Sequence, residues 1–275
     1  MSRLLLLSSD LNGTLVIPHT MQEMIRLAFP DCPERFERAR EAFGRQTDGR
    51  LSIAEAFRIA GEASRGLTLR RAIEYALFHM DFMPGYEALI QFLRSSSICL
   101  AVVSTCYTVT LYVLRHHKHP DFPFFMRCNR LMFQDGSGRI VEEGDLETLI
   151  RLYLDPGKRR LPVFDTTTAN GQINLGIATE EDKARSALEI ADRLGLAHHQ
   201  VAHIGDTMGD SGAILGVARA GGLGIAFNFN EALRDFLDRR AKEEMAAGRV
   251  VLVDPKAQGA ALEHLLPVLE GGRAG

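Results

Sequence analysis

Apolar residues follow two rhythms along this chain. Residues 4–9, four leucines and two serines, read as a buried strand, ending in Asp10-Leu11-Asn12-Gly13-Thr14. From about 19 to 80 the rhythm is helical, with apolar faces at 21–29, 36–43, 53–60 and 69–78, broken at 30–33, 47–50 and 65–66. Ser52 and Glu55 have the spacing of a capping box. This block predicts a four-helix insert. After Pro84-Gly85 the pattern gives a helix at 86–94, a strand at 98–103 ended by Ser104, and a helix at 108–117. Residues 125–133 and 139–142 flank Gln134-Asp135-Gly136-Ser137-Gly138, which predicts a β-hairpin. The last third alternates: helix 180–194, strand 201–204, helix 209–217, strand 223–227, helix 230–246, strand 250–253, helix 257–269. Such alternation predicts a Rossmann-like, doubly wound α/β fold, with a parallel sheet covered on both faces. Ligand groups gather at the carboxyl ends of such strands, where Asp10, Ser104 and Asp206 are expected.

Composition narrows the function classes. The 275 residues are 46% apolar and 24% charged, with a net charge of -3. That is enough apolar residue for one sizeable core and a second small domain. No basic excess points to nucleic acid, and no apolar stretch of about 20 residues points to a membrane span. The leucines after Arg3 are too few for a signal peptide. Cys32, Cys99, Cys106 and Cys128 form no CxxC pair, so reduced thiols and a cytoplasmic location are expected. A homodimer is compatible with this composition. The tail from Gly271 is expected to fray.

Four features fall in an order that suits one site: Asp10 with Asn12 and Thr14, then Ser104, then Lys183, then Asp206 with Asp210. A carboxylate such as Asp10 can attack phosphorus and split one displacement into two easier ones. The charge of a transferring phosphoryl group must be neutralised. Asp10, Asp206 and Asp210 could hold Mg²⁺, which prefers oxygen ligands. Ser104 can hydrogen-bond a phosphoryl oxygen, and Lys183 can act as a point charge. Gly13 gives the backbone room to approach a phosphate.

In these residues the chain resembles the haloacid-dehalogenase (HAD) superfamily. Asp10-Leu-Asn-Gly-Thr-Leu is similar to its first motif, Asp-x-Asp-Gly-Thr. Val102-Val103-Ser104 resembles the second motif, Lys183 at a helix start the third, and Gly205-Asp206-Thr-Met-Gly-Asp210 the fourth. The helical insert resembles a C1-type cap, and Cys128 to Phe133 before Asp-Gly resembles the phosphoserine-phosphatase-like branch. The resemblance implies a HAD core from 1–15 and 83–275, with a cap at 16–82. It implies a Mg²⁺-dependent phosphatase acting on a small phosphorylated metabolite through an aspartyl phosphate. Asp10 would be the nucleophile. Gly13, Thr14, Ser104, Thr105 and Lys183 would bind the phosphoryl group, and Asp10, the Asn12 backbone carbonyl, Asp206 and Asp210 would bind metal.

Asn12 departs from the pattern, which has an aspartate there as general acid and base. An amide cannot transfer that proton, and losing general acid–base catalysis typically costs about 10²–10⁴ in rate. Three origins stay open: a replacement made to trap substrate or intermediate, a naturally slow enzyme, or a phospho-ligand binding protein. Phosphoryl transfer to another metabolite is a further alternative. Elsewhere, His116, His117 and His119 read as a solvated helix end, His203 as a packed core histidine, and Arg45, Arg50 and Arg65 as solvated face.

Overall fold

The computed structural model describes residues 3–17, 19–254 and 259–271. Its centre is a seven-stranded sheet in the order β4-β3-β2-β1-β5-β6-β7. The strands are β1 (Leu6–Ser9), β2 (Cys99–Tyr107), β3 (Phe124–Gln134), β4 (Thr168–Asn174), β5 (Val201–Gly205), β6 (Leu223–Phe227) and β7 (Val250–Val253). All pair in parallel except β4, which runs antiparallel to β3. Period-two alternation splits the central strands between two cores. Leu7, Leu100 and Val102 join the larger one. Leu6, Ala101 and Val103 face Ala187 and Ala191 of the helix Glu180–Arg193 on the other side.

The helical block forms as its periodicity predicts: α1 (Thr20–Ala28), α2 (Pro33–Thr47), α3 (Ile53–Ser64) and α4 (Leu69–Phe78). Ser52 caps α3 by accepting from the Glu55 N–H, and Thr68 caps α4 the same way through Arg71. Helix α5 (Tyr86–Ser95) follows Gly85, whose φ of 78° places the chain in the left-handed region. Buried residues of α1–α4, among them Met21, Phe43, Phe57 and Ile73, share one continuous core with the sheet. Arg70 ties α4 to the segment that precedes β4, pairing with both oxygens of Asp165 (2.6 and 2.9 Å) and donating to the Arg159 carbonyl (2.7 Å).

Three sequence expectations need correction in this part of the chain. Strand β2 does not end at Ser104 but runs to Tyr107, with a break in register after Val103. The helix after it is α-helical only as α6 (Thr108–Val113) and closes in a wider π turn at Leu114–Lys118. The Asp-Gly turn does form, since Gly138 donates to the Asp135 carbonyl and Asp135 to that of Arg139. Residues 139–142, however, add only one bridge, at Ile140, and the antiparallel partner of β3 is β4. Between them stand α7 (Glu143–Leu154) and the short α8 (Val163–Thr166).

The last third follows the alternation, with α9 (Glu180–Arg193), α10 (Ser211–Arg219), α11 (Glu231–Arg240), α12 (Lys242–Ala246) and α13 (Leu266–Gly271). The helix expected over 230–246 is broken at Ala241. Residues 257–258 of the last expected helix, and the tail beyond Gly271, lie outside the described residues. Among the described residues no helix is long and apolar enough to cross a membrane.

Candidate active site

Register brings the first and fourth motifs together. Ser9 of β1 pairs with Val102 of β2 and with Ile204 of β5. The Asp10 N–H then donates to the Ile204 carbonyl at 2.9 Å, so Asp10 leaves the sheet beside Gly205 and Asp206. A left-handed turn at Gly13 (φ 78°) folds the following chain over Asp206, and a Cβ on Gly13 would lie 2.1 Å from Asp206 Oδ2. Only glycine permits that approach. Thr14, fully buried, donates its hydroxyl to Asp206 Oδ1 at 3.1 Å.

Helix α9 delivers the cation. Thr179 and Asp182 cap its start reciprocally, and Lys183 follows in the first turn. A lysine there opposes the helix dipole, so its partners must hold it. They are Asp10 Oδ1 at 2.9 Å and Asp210 Oδ1 at 2.5 Å, with Lys183 itself 2% exposed. The other Asp210 oxygen accepts from the backbone N–H groups of Asp206 and Thr207. His203 is a core histidine, as expected, sharing a 2.9 Å hydrogen bond with Ser8. Its other nitrogen stands 3.9 Å from Asp210, beyond hydrogen-bond reach but close enough to act on its charge.

The electrostatics are those of an acid excess. Asp10, Asp206 and Asp210 can each place a carboxylate oxygen within 4.8 Å of the others, yet one ammonium lies among them. Burial would raise Asp210, but Lys183 and His203 more than reverse this and hold it well below the usual carboxylate range. Burial pushes Lys183 down, and Asp10 and Asp210 more than restore it, so it stays charged. Asp10 is raised by burial, an effect Lys183 and the nearby Ser104 hydroxyl only partly offset. Asp206 is pushed well up by burial and by its two acidic neighbours. Three buried carboxylates around one ammonium are a donor set suited to a hard divalent cation.

A cavity of about 210 Å³ opens above these groups. Asp10, Asn12, Gly13, Thr105, Lys183 and Asp206 line its floor. Ser104 is wholly buried beneath, its hydroxyl accepting from the Cys106 N–H at 3.2 Å. Burial raises the Cys106 thiol well above its ordinary value, so it is protonated and unreactive near neutrality. Asn12 Oδ1 accepts from the Thr20 N–H at 2.9 Å, so this side chain fastens the motif loop to the first helix of the insert. The insert closes the cavity with Ile17, His19, Gln46 and Thr47. Sequence reasoning missed these four, which come from helix ends far apart in the chain and carry no motif spacing. Asn230 joins the two parts, receiving from Leu233 as the cap of α11 and donating to the Thr47 carbonyl at 3.3 Å.

The discounted residues sit where expected, except His119. Arg45, Arg50 and Arg65 are exposed, Arg50 paired with Asp48 and Arg65 with Glu62. His116 pairs with Glu147, while His119 is buried against Tyr86 rather than solvated.

No protein-family model and no curated protein matches the chain by sequence. Solved structures do match it. A phospho-aspartyl intermediate analogue of phosphoserine phosphatase is 17% identical, covers 97% of this chain and 99% of its own, and superposes with a TM-score of 0.68. A substrate-bound phosphoserine phosphatase is also 17% identical, with coverage of 98% and 99% and a TM-score of 0.68. A HAD family hydrolase from Salmonella enterica subsp. enterica serovar Typhi is 15% identical, covers 98% of this chain and 73% of its own, with a TM-score of 0.66. The chain therefore has the fold of the phosphoserine phosphatases and HAD family hydrolases, the fold its four motifs resemble.

Proposed function

We propose that this protein is a Mg²⁺-dependent phosphohydrolase of small phosphomonoesters, working through an aspartyl phosphate on Asp10. The observation that carries this is the Lys183 ammonium bound between Asp10 and Asp210, with Asp206 left as a third, uncompensated carboxylate. The likeness in fold to a phospho-aspartyl intermediate analogue supports it. Asp10, Asp206 and Asp210, with the Asn12 backbone carbonyl, would hold the metal, which when bound would neutralise charge on the phosphoryl oxygens.

An Asp10 carboxylate oxygen attacks phosphorus as the ester P–O bond breaks, and the leaving oxygen takes a proton. Water then attacks the aspartyl phosphate, giving inorganic phosphate and the free carboxylate. Lys183 favours the ionised form of Asp10, orients it and meets the phosphoryl oxygens. Ser104 and Thr105 supply hydroxyls from within β2, just past its break in register, and Gly13 and Thr14 shape the loop beneath. Residues 16–82 act as a cap that excludes bulk water and selects the substrate. Asn12 can hold a geometry but cannot donate or abstract the proton. The leaving alcohol and the attacking water must then exchange protons with solvent, which slows both steps.

The test is phosphate release from a panel of small phosphomonoesters by this chain and by Asn12→Asp, with and without Mg²⁺. Release that needs Mg²⁺ and rises in Asn12→Asp is expected. A variant that binds phosphorylated ligands but releases no phosphate would contradict the proposal and leave a binding protein.

A further inference from the structure

We infer that the cap side of the cavity is built for a small, hydroxylated, uncharged leaving group and discriminates against a zwitterionic amino-acid one; this rests on the phosphohydrolase reading. The charged lining residues are Asp10, Lys183 and Asp206, all on the floor where the phosphoryl group reacts. The opposite wall is Ile17, His19, Gln46 and Thr47, among which there is no carboxylate and no permanent cation. His19 stacks on Phe43 with ring centroids 4.4 Å apart, and burial lowers it to about 4, so it faces the cavity as a neutral imidazole. Its Nδ1 is buried with no hydrogen-bond partner, and Gln46 is 5% exposed. The arginines of this region, Arg45 and Arg50, are exposed and do not line the cavity.

These facts set what the leaving group can be. An ammonium and a carboxylate entering this space would lose water and find no opposite charge, which is costly. The floor carboxylates are no substitute, since they serve the phosphoryl end. Hydroxyl groups, by contrast, can donate to and accept from a neutral imidazole, an amide and a threonine. A site with buried polar groups of this kind rewards a ligand that satisfies them and rejects one that leaves them unpaired. A cavity of about 210 Å³ leaves space for only a few carbons beyond the phosphoryl group.

The test compares glycerol 3-phosphate with phosphoserine, of similar size, and uses acetyl phosphate, an acyl phosphate, as the control substrate. kcat/KM is measured with Mg²⁺ for this chain and for Asn12→Asp. Glycerol 3-phosphate is expected to exceed phosphoserine by at least about ten-fold. Gln46→Glu, which adds one charge at nearly constant shape, should move that ratio toward phosphoserine by about ten-fold. Equal or greater activity on phosphoserine, or acetyl phosphate cleavage with neither metabolite cleaved, overturns this inference and leaves the phosphohydrolase standing. An unmoved ratio in folded Gln46→Glu overturns it as well. No release from any of the three substrates by Asn12→Asp overturns the phosphohydrolase reading and this inference with it.

Discussion

At the scale of single residues, Asn12 and Gly13 carry opposite lessons. The Thr20 N–H that Asn12 Oδ1 accepts would be accepted equally by a carboxylate, so Asn12→Asp keeps the loop and restores a proton carrier. Turnover of an alkyl phosphate should rise by about 10²–10⁴, measured as kcat for phosphate release; an unchanged kcat would remove Asn12 as the limit. Gly13→Ala should do the reverse. Its Cβ would collide with Asp206 Oδ2 in a backbone conformation with φ of 78°. A loss of more than about 1 kcal/mol of stability is expected, with loss of Mg²⁺-induced thermal stabilisation, both read by thermal unfolding. The motif residues were legible in the sequence because strand ends and glycine turns fix their positions. His19, Gln46 and Thr47 were not, because their approach to Asp10 depends on how α1 and α2 dock.

At the scale of elements, the same contrast separates what local chemistry decides from what pairing decides. The parallel strands and their helices follow from apolar runs and 3.6-residue periodicity. Strand β4 reads Thr-Ala-Asn-Gly-Gln-Ile-Asn and has little strand propensity of its own. It exists because β3 offers it an antiparallel edge, which no local pattern records. The Asp-Gly turn misled in a related way: it forms, but the chain leaves for α7 instead of building a second long strand. Arg70 holds α4 against the segment just before β4. Its partner Asp165 is about half exposed (55%), so water screens the pair. Arg70→Ala should cost on the order of 1 kcal/mol, seen as a lower denaturation midpoint. A cost of several kcal/mol would mean that Arg70 bears more of the cap's docking than these bonds imply.

At the scale of the whole molecule, folding suppresses proton uptake at buried imidazoles. His19 and His119 are both lowered from 6.5 to about 4 by burial. Between those values the unfolded chain binds protons that the folded chain refuses. Their contribution to stability is therefore complete above pH 6.5 and is lost as pH falls toward about 4. Asp10 and Asp206, raised in the fold, act in the opposite sense. A variant isolates the imidazole effect: His119→Phe should flatten the fall of the thermal midpoint across that window, and an unchanged slope would contradict it.

The cap, the sheet and the motifs converge on one claim, that Asp10 becomes phosphorylated. Because Asn12 cannot activate water, the intermediate should outlive its formation in this chain. Intact-mass and peptide mass spectrometry after incubation with acetyl phosphate and Mg²⁺ tests this directly, since acetate leaves with little need of a proton. One phosphoryl group on Asp10 is expected, dependent on Mg²⁺ and absent from Asp10→Asn. Turnover of acetyl phosphate with no adduct, or an adduct that persists in Asp10→Asn, would contradict the account.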